Sequence, residues 1–319
     1  MIKFDFESLF PKPTLVTMIG LPGSGKSTIA NQLAEDNPNT LVFSSDAYRK
    51  NLLGDENDQS NNELIFKTMH KDIRENILIG KNCIVDATNV TLKDRRRILD
   101  IVKDLAVHKV AYFVDTPHDE CWNRDKARER SVGFGVIHKF LRSFQFPQRF
   151  EGFDQIIMHS QVGKNHWFDI DKSKRFLEMM DTTDQHNPHH LFTVGLHCRK
   201  LAAQCNDPLM LEAGYFHDFG KLYTKRFDED GVAHYYNHDS VGTYFLATCP
   251  EVFNVATWEE VYEVLFYINY HMRAHNDFTH AKAEKKYRAL FGDERFNKLM
   301  QFGEYDRIAS GTHNLSKEN

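Results

Sequence analysis

The stretch Gly20-Leu21-Pro22-Gly23-Ser24-Gly25-Lys26-Ser27 leaves this chain few choices of fold. Its spacing, Gly-x-x-x-x-Gly-Lys-Ser, is the pattern that turns consecutive backbone N–H groups inward onto phosphate oxygens at the start of a helix. The flanks agree, because Thr14–Ile19 reads as an apolar strand and a helix is predicted from about Lys26. Leu41-Val42-Phe43, Cys83-Ile84-Val85 and Val110–Val114 read as further strands with helical stretches between them, and Phe153–Met158 as a closing strand. This βαβα order predicts an α/β domain with a mostly parallel sheet and helices on both faces. Gly20, Gly23, Ser24, Gly25, Lys26, Ser27 and Thr28 are therefore candidate nucleotide ligands. Lys26 is expected to reach the β/γ-phosphates and Ser27 to ligate Mg²⁺.

Many reactions share such a loop, so residues at the other strand ends must narrow the chemistry. Asp46 follows the second strand, at the carboxyl end where ligands bind in open α/β sheets, and can take a proton from an attacking hydroxyl. Arg49, one helical turn on, can hold a phosphate of the acceptor; a capping aspartate beside a solvated arginine is the plainer alternative. Asp86, after the Cys83–Val85 strand, is placed to hold the water shell of the metal. Arg124 and Arg128 belong to a charged run leading into Gly133-Phe134-Gly135, which suits a lid closing over donor phosphates. In isolation that run reads first as an exposed mixed-charge helix, and Arg95-Arg96-Arg97 as a solvated helix face.

Near residues 160–175 the pattern changes: strand signals fade, and helices are predicted around 190–205, 208–220, 238–248, 257–271 and 293–310. We expect domains at about 1–165 and 172–319, the second all-α. Of 17 histidines, 11 lie at or after His186, so the second half is the candidate metal-binding half. His197, the pair His217-Asp218, His238, His271 and Asp306 come from successive helical segments, and helices converging on one point can each supply a ligand. Imidazole nitrogen with carboxylate oxygen suits Mn²⁺, Fe, Ni²⁺, Co²⁺ or Zn²⁺. The five cysteines form no Cys-x-x-Cys pair, which argues against a zinc knuckle or a disulfide framework. No apolar run approaches the ~20 residues that span a bilayer, and a cytoplasmic enzyme is expected. A net charge of -5 argues against tracking long duplex DNA but leaves room for gripping a strand end with a few local arginines.

The set Gly-x-Pro-Gly-Ser-Gly-Lys-Ser, Asp46-x-x-Arg49, Asp86-x-Thr88-Asn89 and Arg124-x-x-x-Arg128 resembles the 5′-hydroxyl polynucleotide kinases over about residues 12–160. It departs from them in the extra residue of Asp86-Ala87-Thr88-Asn89 and in Val132-Gly133, where related kinases often have Val-Pro. The resemblance implies that Asp46 is general base for the 5′-OH, that Arg49 contacts the nearest acceptor phosphate, and that Arg128 with Arg124 stabilises the transferring phosphoryl group. The ordered set His…His-Asp…Asp, with its His-Asp-x-Gly-Lys core, resembles the HD phosphohydrolases over about residues 175–312. His186-Asn187-Pro188-His189-His190 resembles the branch that includes the HD domains of tRNA nucleotidyltransferases. By that resemblance His197, His217, Asp218 and Asp306 bind one metal, and His238 and His271 a second, with Asp218 bridging. Lys221 and Arg307 are candidates for holding substrate phosphate, and most of His186, His189, His190, His234, His275 and His280 are expected to be bystanders.

The fused pair resembles bifunctional end-healing enzymes. It implies a donor NTP such as ATP with Mg²⁺, one or two transition-metal ions in the second domain, RNA or DNA strand ends as substrates and a functional link to a ligase. Two alternatives stand beside it: a small-molecule kinase fused to a nucleotidase, and a kinase regulated by a metal-binding sensor module without turnover.

Overall fold

The computed structural model describes residues 13–311 except 57, 189, 190, 277 and 279. The chain divides into two compact units. One runs up to Phe140 and includes Pro147–Lys164; the other holds Leu141–Phe146 and continues from Asn165.

The first unit contains β1 (Thr14–Ile19), α1 (Lys26–Asp36), β2 (Thr40–Ser44), α2 (Ser45–Leu53), α3 (Asn62–Leu78), β3 (Asn82–Asp86), α4 (Leu92–Asp100), β4 (His108–Phe113), α5 (His118–Lys126), α6 (Phe134–Leu141) and β5 (Gln155–Met158). The strands order β2-β3-β1-β4-β5, and every pairing is parallel. Strand side chains alternate between faces, and two cores follow from that period. Val16, Met18, Ile84, Val110 and Tyr112 pack with Ala30 and Leu33 of α1, while Leu15, Phe43, Cys83 and Val85 pack with Met69, Ile73 and Ile77 of α3. Both faces being covered explains why these strands read as near-continuous apolar runs. Because all five strands are parallel, the loops after β1, β2 and β3 share the carboxyl edge, where ligands gather in such sheets.

Arg95 corrects the solvated-face reading of the Arg95–Arg97 run. It is fully buried on α4, and its Nε and Nη2 donate to Glu151 at 2.7 Å each.

The second unit contains α7 (Ile170–Asp181), α8 (Val194–Ala202), α9 (Pro208–Phe216), α10 (Lys221–Thr224), strands β6 (Arg226–Phe227) and β7 (Ala233–His234), α11 (His238–Ala247), α12 (Trp258–Asn276), α13 (Ala281–Phe291) and α14 (Asp293–Ala309). Side-chain oxygens close the helix starts: Asp169 accepts from Lys172 N, Thr193 from Leu196 N, and Asp207 from Leu209 N and Met210 N ahead of Pro208. The core is aromatic, with Phe266, Tyr267, Tyr270, Phe291, Phe296 and Phe302 buried. The unit is helical but not wholly so, because β6 and β7 pair antiparallel. Helices α7, α10 and α13 lie outside the predicted helical segments. No helix among the described residues is long and apolar enough to cross a membrane.

Candidate functional site

In the first unit the glycine loop joins β1 to α1. Gly23 has φ +82°, and a Cβ there would meet Cys121 O at 2.2 Å, so conformation and space both demand glycine. Lys26 Nζ donates to Leu21 O at 2.8 Å and lies 3.4 Å from Ser24 Oγ. Burial pulls the Lys26 ammonium down to about 8, although the nearby Asp86 and Asp46 carboxylates pull the other way. Asp86 is buried and receives the Ser27 hydroxyl; burial pushes its carboxyl up, against the Ser27 bond and the Lys26 charge. Ser27 and Thr28 are exposed at the helix start. Asp46 lies in the first turn of α2, and Arg49 Nη1 donates to its Oδ1 at 2.7 Å. Arg49 is buried and also donates to Ser45 Oγ and Asn62 Oδ1, while Asp46 faces solvent.

The two lid candidates part company. Arg124 Nη1 donates to Ser24 O at 3.1 Å and Nη2 to Glu120, so Arg124 braces the loop backbone. Arg128 is exposed beyond the end of α5, with its charge close enough to lower the Lys26 pKa.

In the second unit five of the six predicted ligands converge around the sixth, Asp218. On one side Asp218 Oδ2 lies 3.4 Å from both His197 Nε2 and His217 Nε2. Asp306 Oδ1 joins them at 2.8 Å from His197 and 3.5 Å from His217. On the other side Asp218 Oδ1 lies 3.0 Å from His238 Nε2 and 3.8 Å from His271 Nε2. Gly220 makes this approach possible: a Cβ there would fall 1.9 Å from His238 O. Lys221 Nζ comes within 2.7 Å of Asp218 Oδ2 without hydrogen-bonding geometry, and donates to Gln185 Oε1 at 2.8 Å. Lys221 is therefore a buried counter-charge to Asp218. Arg307 faces solvent and pairs with Glu304.

The donor atoms fit divalent transition metals. His238 Nδ1 and His271 Nδ1 each donate to a backbone carbonyl at 2.7 Å, of Tyr235 and Ile268 respectively. That assignment leaves a lone pair on each Nε2 of the neutral rings, yet the two Nε2 atoms face each other at 3.1 Å. His217 Nδ1 likewise sits 3.0 Å from Gly214 O, and its Nε2 lies 3.2 Å from His197 Nε2. Buried lone pairs held this close need a cation or a proton between them, and ligand atoms about 2.1 Å from a shared ion would have this spacing. Without an ion a proton carries that charge: burial opposes it, but the Cys198, Asp218 and Asp306 charges hold His217 well above the usual imidazole range. Burial opposes the charge on Asp218, but Lys221 and His217 hold its carboxyl well below the usual range. Burial, then the neighbouring His238 and His217, push His271 well down.

Residues 15–147 match the family described as an AAA domain. The adenylyl-sulfate kinase of Pseudomonas aeruginosa is 31% identical over 40% of this chain and 68% of its own length. The chain belongs to the P-loop kinase family. A second relative, the L-seryl-tRNA(Sec) kinase of Methanococcus maripaludis, is 26% identical over 42% of this chain, which spans 53% of that protein. A chain of the Pnkp1/Rnl/Hen1 RNA repair complex is 27% identical with a TM-score of 0.37, covering 40% of this chain and 43% of its own.

In this P-loop kinase, sequence reasoning passed over two residues near the sites. His275 Nε2 lies 2.8 Å from Asp306 Oδ2, where it can orient that carboxylate. Its signal was its place one turn after His271. Arg95 Nη1 donates to Asn89 O at 3.1 Å, and Asn89, at φ 46°, donates through Nδ2 to Met18 O at 2.8 Å. Gly20 N donates to Thr88 O, so the loop after Asp86 is tied to the phosphate loop. His189 and His190 lie outside the described residues.

Proposed function

We propose that this chain heals broken polynucleotide ends. The first unit phosphorylates a 5′-OH from an NTP, and the second removes a 2′,3′-cyclic phosphate or a 2′- or 3′-phosphate. Membership of the P-loop kinase family supports the phosphotransfer half. The observation that carries the second half is the Asp218 carboxylate, whose two oxygens each face a separate pair of histidines.

In the first unit Asp46 takes the proton of the attacking hydroxyl while Arg49 holds its carboxylate in place. Lys26 and Arg128 face the donor phosphates, Arg124 keeps the loop in shape, and Ser27 with Asp86 would hold Mg²⁺. In the second unit His197, His217, Asp218 and Asp306 would hold one transition metal and His238, His271 and Asp218 another. Such a pair, when bound, makes hydroxide available near neutral pH and clamps attacking and leaving oxygens. The protein orients the donors through the carbonyls of Gly214, Tyr235 and Ile268, and His275 holds Asp306. RNA ends are favoured over DNA because broken RNA carries a 2′,3′-cyclic phosphate and a 5′-OH, and the repaired ends would pass to a ligase.

The 31% identity to an adenylyl-sulfate kinase favours a second reading, phosphorylation of a small hydroxyl acceptor. One experiment separates them. A short RNA with a 5′-OH and a 2′,3′-cyclic phosphate is incubated with the chain, ATP, Mg²⁺ and Mn²⁺ and weighed by mass spectrometry. End healing gives a 5′-phosphate and a 3′-terminal diol, and Asp218→Ala keeps the first and loses the second. An unchanged RNA refutes it and turns attention to nucleosides.

A further inference from the structure

The β6–β7 hairpin has a feature that the metal cluster does not use. Tyr236 is 63% exposed, and its ring lies parallel to that of His234, 1° off, with centroids 5.5 Å apart. Asp228 Oδ2 holds His234 Nε2 at 2.7 Å, so the lower ring of this stack is fixed. A second ring, Phe227, is 57% exposed on the facing strand, with the His186 ring at its side. Large aromatic rings exposed and pre-ordered in this way stand out from ordinary surface residues.

What gives the stack a direction is its tether to the cluster. Tyr235 OH donates to Gln185 O at 2.5 Å, and Tyr235 O accepts from His238 Nδ1 at 2.7 Å. Lys221 Nζ, which faces Asp218, also lies 5.4 Å from the Tyr235 ring centroid. Asn237, between the exposed ring and His238, adopts a left-handed conformation at φ 63°, and His186 does the same at φ 47°. Strained backbone of this kind persists where surrounding structure over-determines it, and clusters at ligand sites. Tyr236 stands two residues before His238, so the exposed ring and a donor of the cluster share one short segment.

We infer that the Tyr236–His234 stack seats the nucleobase of the terminal nucleotide whose phosphate ester the second unit hydrolyses. The inference rests on the phosphohydrolase reading above. The hairpin tip carries Asp228, Glu229 and Asp230, so it repels phosphate and admits an uncharged ring. Bases stack on aromatic side chains with little regard to sequence, which gives a preference for nucleotides over simple phosphate esters without a preference among bases.

The test uses the full chain loaded with Mn²⁺ and two 3′-phosphorylated RNA trinucleotides, one with a normal 3′-terminal base and one abasic there. The wild type should favour the base-bearing substrate in KM by about 5- to 160-fold, the range one stacking contact provides. Tyr236→Ala should collapse that ratio toward one, and Tyr236→Phe should restore it. No preference in the wild type, or a preference that survives Tyr236→Ala, overturns the inference. If the wild type hydrolyses neither RNA, the phosphohydrolase reading has failed, and titration with adenosine 3′-monophosphate decides the seat separately. Binding weakened 5-fold or more by Tyr236→Ala supports it, and equal binding overturns it.

Discussion

Lys26 is held in the phosphate loop at a cost that should be measurable. Its ammonium is buried, and the gap between 10.5 and about 8 corresponds to about 3 kcal/mol against the charged form in the folded protein. A folded-state pKa below the unfolded value sets the sign. Below pH 8 both states carry the proton and the penalty is present in full. Between pH 8 and 10.5 the folded state sheds its proton first, and the penalty fades. Lys26→Met should therefore stabilise the first unit by about 3 kcal/mol at pH 7, less the two hydrogen bonds lost, with the advantage vanishing toward pH 10.5. Because the chain has two units, whole-molecule unfolding is not two-state, and a local probe is needed. Trp122 follows Cys121, whose carbonyl lies against Gly23, so its fluorescence in a Trp167→Phe/Trp258→Phe background follows urea unfolding of the first unit. The same variant should lose kinase activity and gain nothing from ATP and Mg²⁺, while kcat/KM for ATP in the wild type should fall above about pH 8 as Lys26 loses its proton. A Lys26→Met protein less stable at pH 7, or a gain that does not shrink with pH, would refute the argument.

Three further outcomes are expected. Mn²⁺ at 100 times its Kd should stabilise the second unit by about 2.7 kcal/mol in thermal unfolding, and Asp218→Ala should abolish the gain. His275→Ala should weaken Mn²⁺ binding by about 10- to 100-fold in isothermal titration through the loss of its bond to Asp306, leaving kinase activity unchanged. Arg95→Ala strands the buried Glu151 carboxylate and should destabilise the first unit by about 3–5 kcal/mol in urea, whereas Arg95→Met with Glu151→Leu should recover most of that.

Arg95 shows where reading a sequence stops short. Leu92, Ile98 and Leu99 mark the buried stripe of α4, and Arg95 falls on it by helical phase, so its burial was legible behind the neighbouring arginines. Its partner was not, because Glu151 lies 56 residues away in a short turn before β5. The glycine loop was legible throughout, since its chemistry is backbone chemistry and its residues are contiguous. α7 was legible in principle, with Ser173, Phe176 and Met180 spaced at helical intervals, but so short a stripe stands out poorly between polar neighbours.

The metal cluster divides differently. Residue types and their order along the chain pointed to six side chains that the fold does bring together, because imidazole and carboxylate groups on successive helices carry that information locally. Which atom faces which partner depends on packing over distances that local pattern does not encode. Asp218 turns Oδ2 to one histidine pair and Oδ1 to the other because α10 and α11 meet at Gly220, against the carbonyl of His238. The glycine in His-Asp-x-Gly-Lys is thus a packing requirement of the cluster, although in sequence it looks like an ordinary helix breaker. Lys221 illustrates the same point from the opposite side. From sequence it is a phosphate-binding candidate; the fold also makes it a buried neighbour of Asp218, where it offsets the carboxylate charge of the cluster. Its position follows from the close packing that Gly220 allows, so the arrangement of the donors and the placement of their counter-charge have one cause.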